Sequence, residues 1–365
     1  MSTKPCLLLL SGGSAVGQNV LASLVPWRDE LRLVATTSVA DEPALFAFDA
    51  VHLVPPTARE PARFDESACA IIDRESPGLV VPCREDDVMY LAGLRERRAD
   101  LAPRILCGTP QAAAIVSDKW LGHRFCVDRG LPFAPSIASE AEGSLEAFLA
   151  EQGFPLVAKP RRGFASREVR LLRNVAQVRR ALARGDIVQR FLGARDTLDA
   201  WFASAELDGV PLLKSFMGEK HSIQALVAPG GEVVDVMATR NLKDLRSRRV
   251  VPDTTPTTLA LGRRCAEALS AAGWRGPLNV QCQVDGEGAL WIHEFNGRFT
   301  GITADRCLLG HNEVVVAIEA FTGHAFDRAR QPPAASESIA SLISRAADPA
   351  SIRALQTHGV WGSQR

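Results

Sequence analysis

Leu278–Gly301 reads LNVQCQVDGEGALWIHEFNGRFTG. Asp285–Gly288, DGEG, is a turn signal between two runs of strand character, so the segment predicts a β-hairpin. If Val284 and Ala289 flank a four-residue loop, antiparallel pairing sets Asn279 opposite Glu294, with Gln281 diagonal to it. Period two aims Glu294, Asn296 and Arg298 one way and His293 and Phe295 the other, as packing residues. Gln281, Glu294 and Asn296 then converge, with Arg298 just beyond. Oxygen ligands of low charge suit Mg2+, which is completed by waters and substrate phosphates, and a guanidinium fork suits phosphate. A solvated polar face on an edge hairpin gives the same pattern, so the hairpin alone leaves both readings open.

The rest of the chain narrows the class. Of 365 residues, 46% are hydrophobic and 23% charged, an ordinary globular composition with room for about two or three domains. Lys+Arg and Asp+Glu are both 42, so nothing global draws the protein to nucleic acid or to a membrane surface. No apolar run approaches the ~18–20 residues of a membrane span. The N-terminal Leu7–Leu10 is too short for a secretory segment and reads as a buried strand. Eight scattered cysteines (Cys6, Cys69, Cys83, Cys107, Cys126, Cys265, Cys282, Cys307) form no CxxC and no zinc-finger spacing with histidine. They read as reduced, mostly buried thiols in a cytoplasmic protein.

The first third alternates strands and helices. Strands are expected at Leu7–Leu10, Leu31–Thr37, Gly78–Pro82 and Arg104–Cys107, and helices at Gln18–Leu24, Asp65–Glu75 and Asp86–Ala99. Such alternation predicts a parallel sheet with helices on both faces. A helix follows in DKWLGHRFCVDRG, ending at Gly130, and another at Ser144–Gln152. From Phe154 the texture is antiparallel: PLVAKP, VRLL, DIVQRFL, TLDAWFASAELDG, VPLLKSF and SIQALVAPGGEVVDVMATR all read as strands, before a helix at Thr257–Ala272 and the hairpin. ARQPPAASES reads as a linker to a short C-terminal strand and helix.

Other stretches carry possible anchors. Phe154–Val169, FPLVAKPRRGFASREV, ends a strand in Lys159 before a basic turn with Gly163 and Ser166. An ammonium there meets phosphate as a point charge. The chain has six lysines against 36 arginines, so a retained lysine is informative. Gly12, Gly13 and Gly17 in SGGSAVGQN match neither a dinucleotide fingerprint nor a Walker A loop and read as a tight strand-to-helix turn. Arg240, Lys243, Arg246, Arg248 and Arg249 form a basic run, readable as a solvated face or as a clamp for an anion.

In this order the segments resemble the ATP-grasp superfamily, most of all its branch related to the carbamoyl phosphate synthetase large subunit, over roughly Cys6 to Gly323. The hairpin is close to that branch's N-V-Q … I-E-x-N-x-R pattern. SDKW (Ser117–Trp120), LPFAPS, Lys159, GFASR and IVQRFLGARDTLDAW fall where the family has the start of its grasp domain, its phosphate lysine, its flexible loop and its adenine-binding hinge. The resemblance implies an α/β chain: a Rossmann-like pre-ATP-grasp domain over 1–115, then an α+β ATP-grasp domain over 116–328. The latter would have subdomains at about 120–188 and 189–328, with 329–365 a linker and short C-terminal element.

It further implies ATP with Mg2+, or Mn2+ in its place, held by Gln281, Glu294 and Asn296. Arg298, Lys159 and Arg240 would serve the transferred phosphate. Lys119, Lys159, Ser166, Gln189, Phe191, Leu192 and Asp196 would hold the nucleotide. The implied reaction activates a carboxylate as an acyl phosphate for attack by an amine or thiol. The partners are small carboxylates and amines, with no nucleic acid or membrane, and a homodimer is compatible. A carbamoyl phosphate synthetase-like step on bicarbonate and a non-catalytic nucleotide-binding module are the rivals. Three departures stand out: Arg190 replaces the hinge Glu, Ala165 and Glu168 replace loop glycines, and Gly297 replaces the Pro before Arg298.

Overall fold

In a computed structural model the described residues are 4–163, 168–193, 195–208, 220–243, 248–340 and 348–362. The chain opens with β1 (Cys6–Leu10), α1 (Ala15–Ser23), β2 (Arg32–Thr37), β3 (Ala50–Leu53), α2 (Pro61–Glu75), β4 (Leu79–Pro82) and α3 (Glu85–Arg97). β1 to β4 pair in parallel in the order β3-β2-β1-β4. Leu7, Leu8, Leu9 and Leu10 are all fully buried, so the opening apolar run is the centre of the sheet with helices on both faces. Two details differ from the sequence reading. β3 was not anticipated, because AVHL carries one polar residue and no clear turn before it. Arg104–Cys107 is not a strand: it makes a single parallel bridge, Val80 to Ile105.

α4 (Pro110–Ser117) and α5 (Lys119–Val127) lead into a small four-stranded sheet. Its strands are β5 (Ser136–Ile137), β6 (Leu156–Pro160), β7 (Arg170–Leu172) and β8 (Asp186–Arg190), in the order β5-β8-β6-β7, with α6 (Leu145–Gln152) and α7 (Val175–Ala183) packed on it. α8 (Arg195–Asp208) follows. This corrects the reading of TLDAWFASAELDG as a strand. Its Ala, Leu and Glu content favours helix once tertiary packing supplies a partner for buried Leu198. VPLLKSF lies outside the described residues.

The third sheet is antiparallel. β9 (Lys220–Val227), β10 (Val233–Lys243) and β11 (Arg248–Pro252) precede α9 (Pro256–Ala271), and β12 (Gly276–Val284) and β13 (Leu290–Asn296) make the expected hairpin. α10 (Thr303–Leu308) and α11 (Glu313–Thr322) follow. β14 (Ser338–Ala340) completes the order β13-β12-β9-β10-β11-β14. After α12 (Pro349–His358), β15 (Val360–Gly362) returns to the first sheet and pairs antiparallel with β3. One core runs from the first sheet's lower face through Phe125, Phe133 and Phe295 to α9, which joins the first and third sheets without an apolar gap. Among the described residues no helix is long and apolar enough to cross a membrane.

Candidate active site

The hairpin register is shifted from the expected one. Gln281 lies directly opposite Glu294 and Asn279 opposite Asn296, while Cys282 pairs with Ile292. His293 is therefore the extra residue of a β-bulge on β13. A bulge breaks strict alternation and re-aims side chains. Gln281, Glu294, Asn279 and Asn296 still share one face, because directly opposed residues of an antiparallel pair do so.

Lysines gather on that face. Lys119 is the first residue of α5, a helix capped by Asp118, which accepts from the amides of Trp120 (2.9 Å) and Leu121 (3.2 Å). Arg161, just past β6, grips the same Asp118 through Nε at 3.1 Å to both carboxylate oxygens, and Lys119 N donates to Arg161 O at 3.0 Å. The turn after β6 is thus fastened to the start of α5. Lys119 Nζ then reaches Glu294 Oε1 at 3.2 Å, so an ammonium already neutralises this carboxylate.

Lys159, on β6, donates to Gln189 Oε1 at 2.7 Å, and Gln189 Nε2 donates to Ser136 Oγ at 3.1 Å. Burial lowers the Lys159 ammonium to about 8; Glu294 opposes this, while the positive charges of Lys119 and Lys220 add to it. Lys119 and Lys159 therefore both act on Glu294, and Lys220 lies close enough for its charge to reach Lys159. Arg298 closes the far side. It donates to Asn296 Oδ1 at 3.1 Å and forms an ion pair with Glu85, at the start of α3. Groups from all three sheets or their flanking helices meet here.

No family model matches the sequence, and no curated protein is significantly similar to it in sequence. Solved structures are similar in fold. N5-carboxyaminoimidazole synthetase from Staphylococcus aureus, complexed with ADP, superposes with a TM-score of 0.64 at 13% identity, over 90% of this chain and 79% of that one. The biotin carboxylase–β,γ-ATP complex from Campylobacter jejuni gives 0.63 at 15% identity, over 91% and 74%. L-amino acid ligase from Bacillus licheniformis gives 0.60 at 14% identity, over 88% and 75%. The chain has the ATP-grasp fold.

In ATP-grasp terms the cleft lies between the small sheet, with the hinge at its edge, and the face of the third sheet that carries Glu294. The donor set fits a magnesium ion brought in with polyphosphate. It has one carboxylate, amide oxygens beside it and no cluster of three His, Cys, Asp or Glu side chains among the described residues, so a nucleotide would supply the remaining charge. Asn279 Oδ1, also on this face, is buried without a hydrogen-bond partner.

Several expected residues sit differently. Arg240 is not brought to this cluster. Strand pairing places it beside His221 and Val251, on the side of the sheet shared with Cys282 and opposite to Gln281. There it lines a cavity of about 700 Å3 with Leu192, Gly193, His221, Asp253 and Gln283. His221 Nδ1 lies 2.8 Å from Asp253 Oδ2 in that wall. Burial pushes the Asp253 carboxyl up, but hydrogen bonds from Thr255 and His221 outweigh it and hold the group below its usual range. Gln189 has its side-chain oxygen occupied by Lys159 and lies in a strand paired on both sides. Phe191 and Leu192 follow β8 directly, Leu192 buried, and Asp196 lies in the first turn of α8. Ser166 and Arg246 lie outside the described residues.

Three residues gain an explanation. Arg190, where the resemblance expects Glu, reaches Asp285 at 3.4 Å and stacks 5.6 Å over Trp291, so it ties the hinge to the hairpin turn. Gly297, where Pro is usual, has the ring of fully buried Trp274 against it: an added Cβ would lie 2.3 Å from that ring. His293 is the bulge residue on β13. It is buried with neither ring nitrogen partnered. Burial drives its imidazole well below the usual range, the charges of Lys159, Lys220 and Lys119 add to this, and its own carbonyl pulls weakly the other way. Sequence reasoning missed Lys220 as a member of the cluster, although the scarcity of lysine was the signal that pointed to it.

The cysteines take no part. None of the eight is in a disulfide. Burial raises Cys107 and Cys265 to about 12, which leaves them inert as nucleophiles.

Proposed function

We propose that this protein is an ATP-dependent ligase that activates a carboxylate as an acyl phosphate for attack by an amine. The observation that carries this reading is the meeting of Lys119 and Lys159 with Glu294, on the face shared with Gln281 and Asn296 and closed by Arg298. Two ammonium groups, Lys119 and Lys159, beside the Glu294 carboxylate leave room for further negative charge, which a bound polyphosphate would supply. Gln281, Glu294 and Asn296 would hold Mg2+, which supplies charge neutralisation on the nucleotide phosphates. Lys119, now on Glu294, would turn to the phosphates when the cation takes its place.

The chemistry asks for positioning and electrostatic stabilisation rather than a protein nucleophile. A carboxylate oxygen attacks the γ-phosphorus, ADP leaves, and the resulting acyl phosphate is opened by the amine with release of inorganic phosphate and a proton. Arg298 and Lys159 would stabilise the migrating group. The three similar structures named above, an amino acid ligase among them, support this class. The reading is tested by a screen of carboxylates against amines for ADP release. ADP formed only when a carboxylate is present supports it. ADP formed without any acceptor, or with none of them, refutes it.

A further inference from the structure

His293 sits in the cleft with its hydrogen bonding unmet. It is 5% exposed, and neither ring nitrogen has a hydrogen-bond partner. A buried polar group left unpaired in the native fold calls for a ligand or for an explanation. Loose placement does not account for it. Ile292, the residue before it, is held on both edges of β13: it pairs with Cys282, its amide donates to Pro132 O and its carbonyl accepts from Ala134 N, both at 2.7 Å. Glu294, the residue after it, pairs with Gln281. His293 is the extra residue between them, so it and Glu294 together oppose Gln281. The charges that bear on the ring agree with that aim: Lys159 and Lys119 act from the small-sheet side of the cleft and Lys220 from the third sheet. In the pattern I-E-x-N-x-R, to which the hairpin is similar, an isoleucine takes this place. An apolar side chain leaves nothing unpaired there, whereas an imidazole needs a partner.

Position along the strand narrows that partner. Glu294, Asn296 and Arg298 lie ahead of His293, at the phosphate-binding end. Behind it, Trp291 lies 5.6 Å under the guanidinium of Arg190, the last residue of β8, and stands opposite Gln283. Gln283 lines the cavity of about 700 Å3 together with Leu192 and Gly193. That volume falls within the ~300–1,000 Å3 of small-molecule sites. At ~3.3 Å per residue, Trp291 and Glu294 are about 10 Å apart. A nucleotide with its phosphates at Glu294 and its base toward the cavity therefore carries its sugar and base past His293. Burial and the three ammonium charges hold the ring neutral, and a neutral imidazole offers one N–H and one lone pair. That pair suits the hydroxyls and ring nitrogens of a nucleoside; the phosphates are already served by Lys119, Lys159 and Arg298.

We propose that His293 recognises the nucleoside half of the bound nucleotide, through a hydrogen bond to a ribose hydroxyl or to the edge of the base. The inference rests on the nucleotide-binding part of the ligase reading. It makes the site prefer a nucleotide over bare polyphosphate, a distinction that the cations alone do not draw.

The test is calorimetric titration of the whole chain with ATP and with inorganic tripolyphosphate, each with magnesium. The unaltered protein is compared with His293→Leu, His293→Ala and His293→Gln. Leucine and alanine remove a ring that has no partner in the fold, so these variants fold, and two sizes guard against a packing fault in one. In both, the Kd for ATP rises about tenfold while that for tripolyphosphate stays within about twofold, because only ATP loses a hydrogen bond. His293→Gln keeps a donor and an acceptor and holds the Kd for ATP within about threefold of the unaltered value. 2′,3′-Dideoxy-ATP locates the contact. His293→Leu weakens it as much as ATP if the base is the partner, and not at all if a ribose hydroxyl is; either result supports the proposal. An equal rise for ATP and tripolyphosphate, or no change in either, overturns it while leaving the ligase reading intact. Failure of the unaltered protein to bind ATP overturns both.

Discussion

Lys159 Nζ donates to Gln189 Oε1 at 2.7 Å, so this ammonium is parked on β8. Lys119, rather than Lys159, makes the ion pair with Glu294. This arrangement has a measurable consequence. With Lys159 at about 8, the group loses its charge as pH rises through that value. Polyphosphate would restore the charge by raising the group again. Nucleotide binding near pH 8 is therefore expected to take up a fraction of a proton, read by calorimetry in buffers of different ionisation enthalpy, and Lys159→Met should abolish the uptake and weaken binding about tenfold or more. The sign for folding is the opposite of the usual salt-bridge case. Between about 8 and the ordinary value of 10.5 the unfolded chain binds the proton that the folded chain has released. Stability gains a contribution as pH rises through this window, and Lys159→Met should remove that gain in denaturant unfolding curves.

Glu294→Gln removes the only carboxylate that the expected metal ligands contain. Turnover is expected to fall by at least about a hundredfold, the scale seen when a group that stabilises charge in the transition state is lost. Metal-free binding should behave differently. Lys119 loses its partner at 3.2 Å and is left to the phosphates, so affinity for ATP in the presence of a chelator should hold or rise. Calorimetry with and without magnesium separates the two effects; a variant that keeps full magnesium-dependent turnover would remove Glu294 from the site.

Much of this was legible in the sequence, and the parts that were not have physical causes. The hairpin was readable because DGEG and the flanking alternation are local signals. Its register was not, because the bulge at His293 depends on how β13 meets Pro132 and Ala134, whose backbone groups bond to Ile292 at 2.7 Å each. α8 was misread because TLDAWF alternates as well as it turns, and local period cannot choose between them. Arg240 followed a family position along the strand, but parity on β10 sends it to the His221 side. Lys220 was visible only as one of few lysines; its meeting with Lys119 and Lys159 is a product of the fold.

Arg190 and Asp285 predict a stability difference between two ends of one contact. Asp285 also accepts from the Trp291 indole at 2.7 Å and from the amides of Glu287 at 3.0 Å and Ala289 at 2.9 Å. Removing Arg190 leaves that carboxylate satisfied, so Arg190→Ala is expected to cost about 1 kcal/mol or less. Asp285→Ala strands the indole and the turn amides together and should cost about 2–4 kcal/mol. Denaturant unfolding of the two variants checks the order, and equal costs would show that the turn does not depend on its acid.

Beneath the cleft lies a buried charge that no sequence signal announced. Arg306, fully buried, donates through Nη1 to both oxygens of Glu313 at 3.0 and 3.2 Å and to Thr300 Oγ1 at 3.1 Å, and through Nη2 to Ser222 Oγ at 2.7 Å. Ser222 in turn accepts from Asn279 Nδ2 at 2.8 Å. Since Asn279 stands opposite Asn296 and Ser222 opposite Gln281, the guanidinium braces the strand that carries Gln281 on the face of the expected metal ligands. Arg306→Met is expected to destabilise by about 3–5 kcal/mol, because Glu313 would be left charged and unpaired in the core. Burial already pushes the Glu313 carboxyl up even with Arg306 present, so without it the variant should recover stability at low pH, where the acid is neutral. The double variant Arg306→Met with Glu313→Leu should regain most of the loss, since two apolar groups of similar volume need no pairing. It would still lack the Ser222 anchor. If that brace positions the metal-facing side chains, the double variant is stable yet binds magnesium-nucleotide more weakly; if both stability and affinity return, the network serves the fold alone.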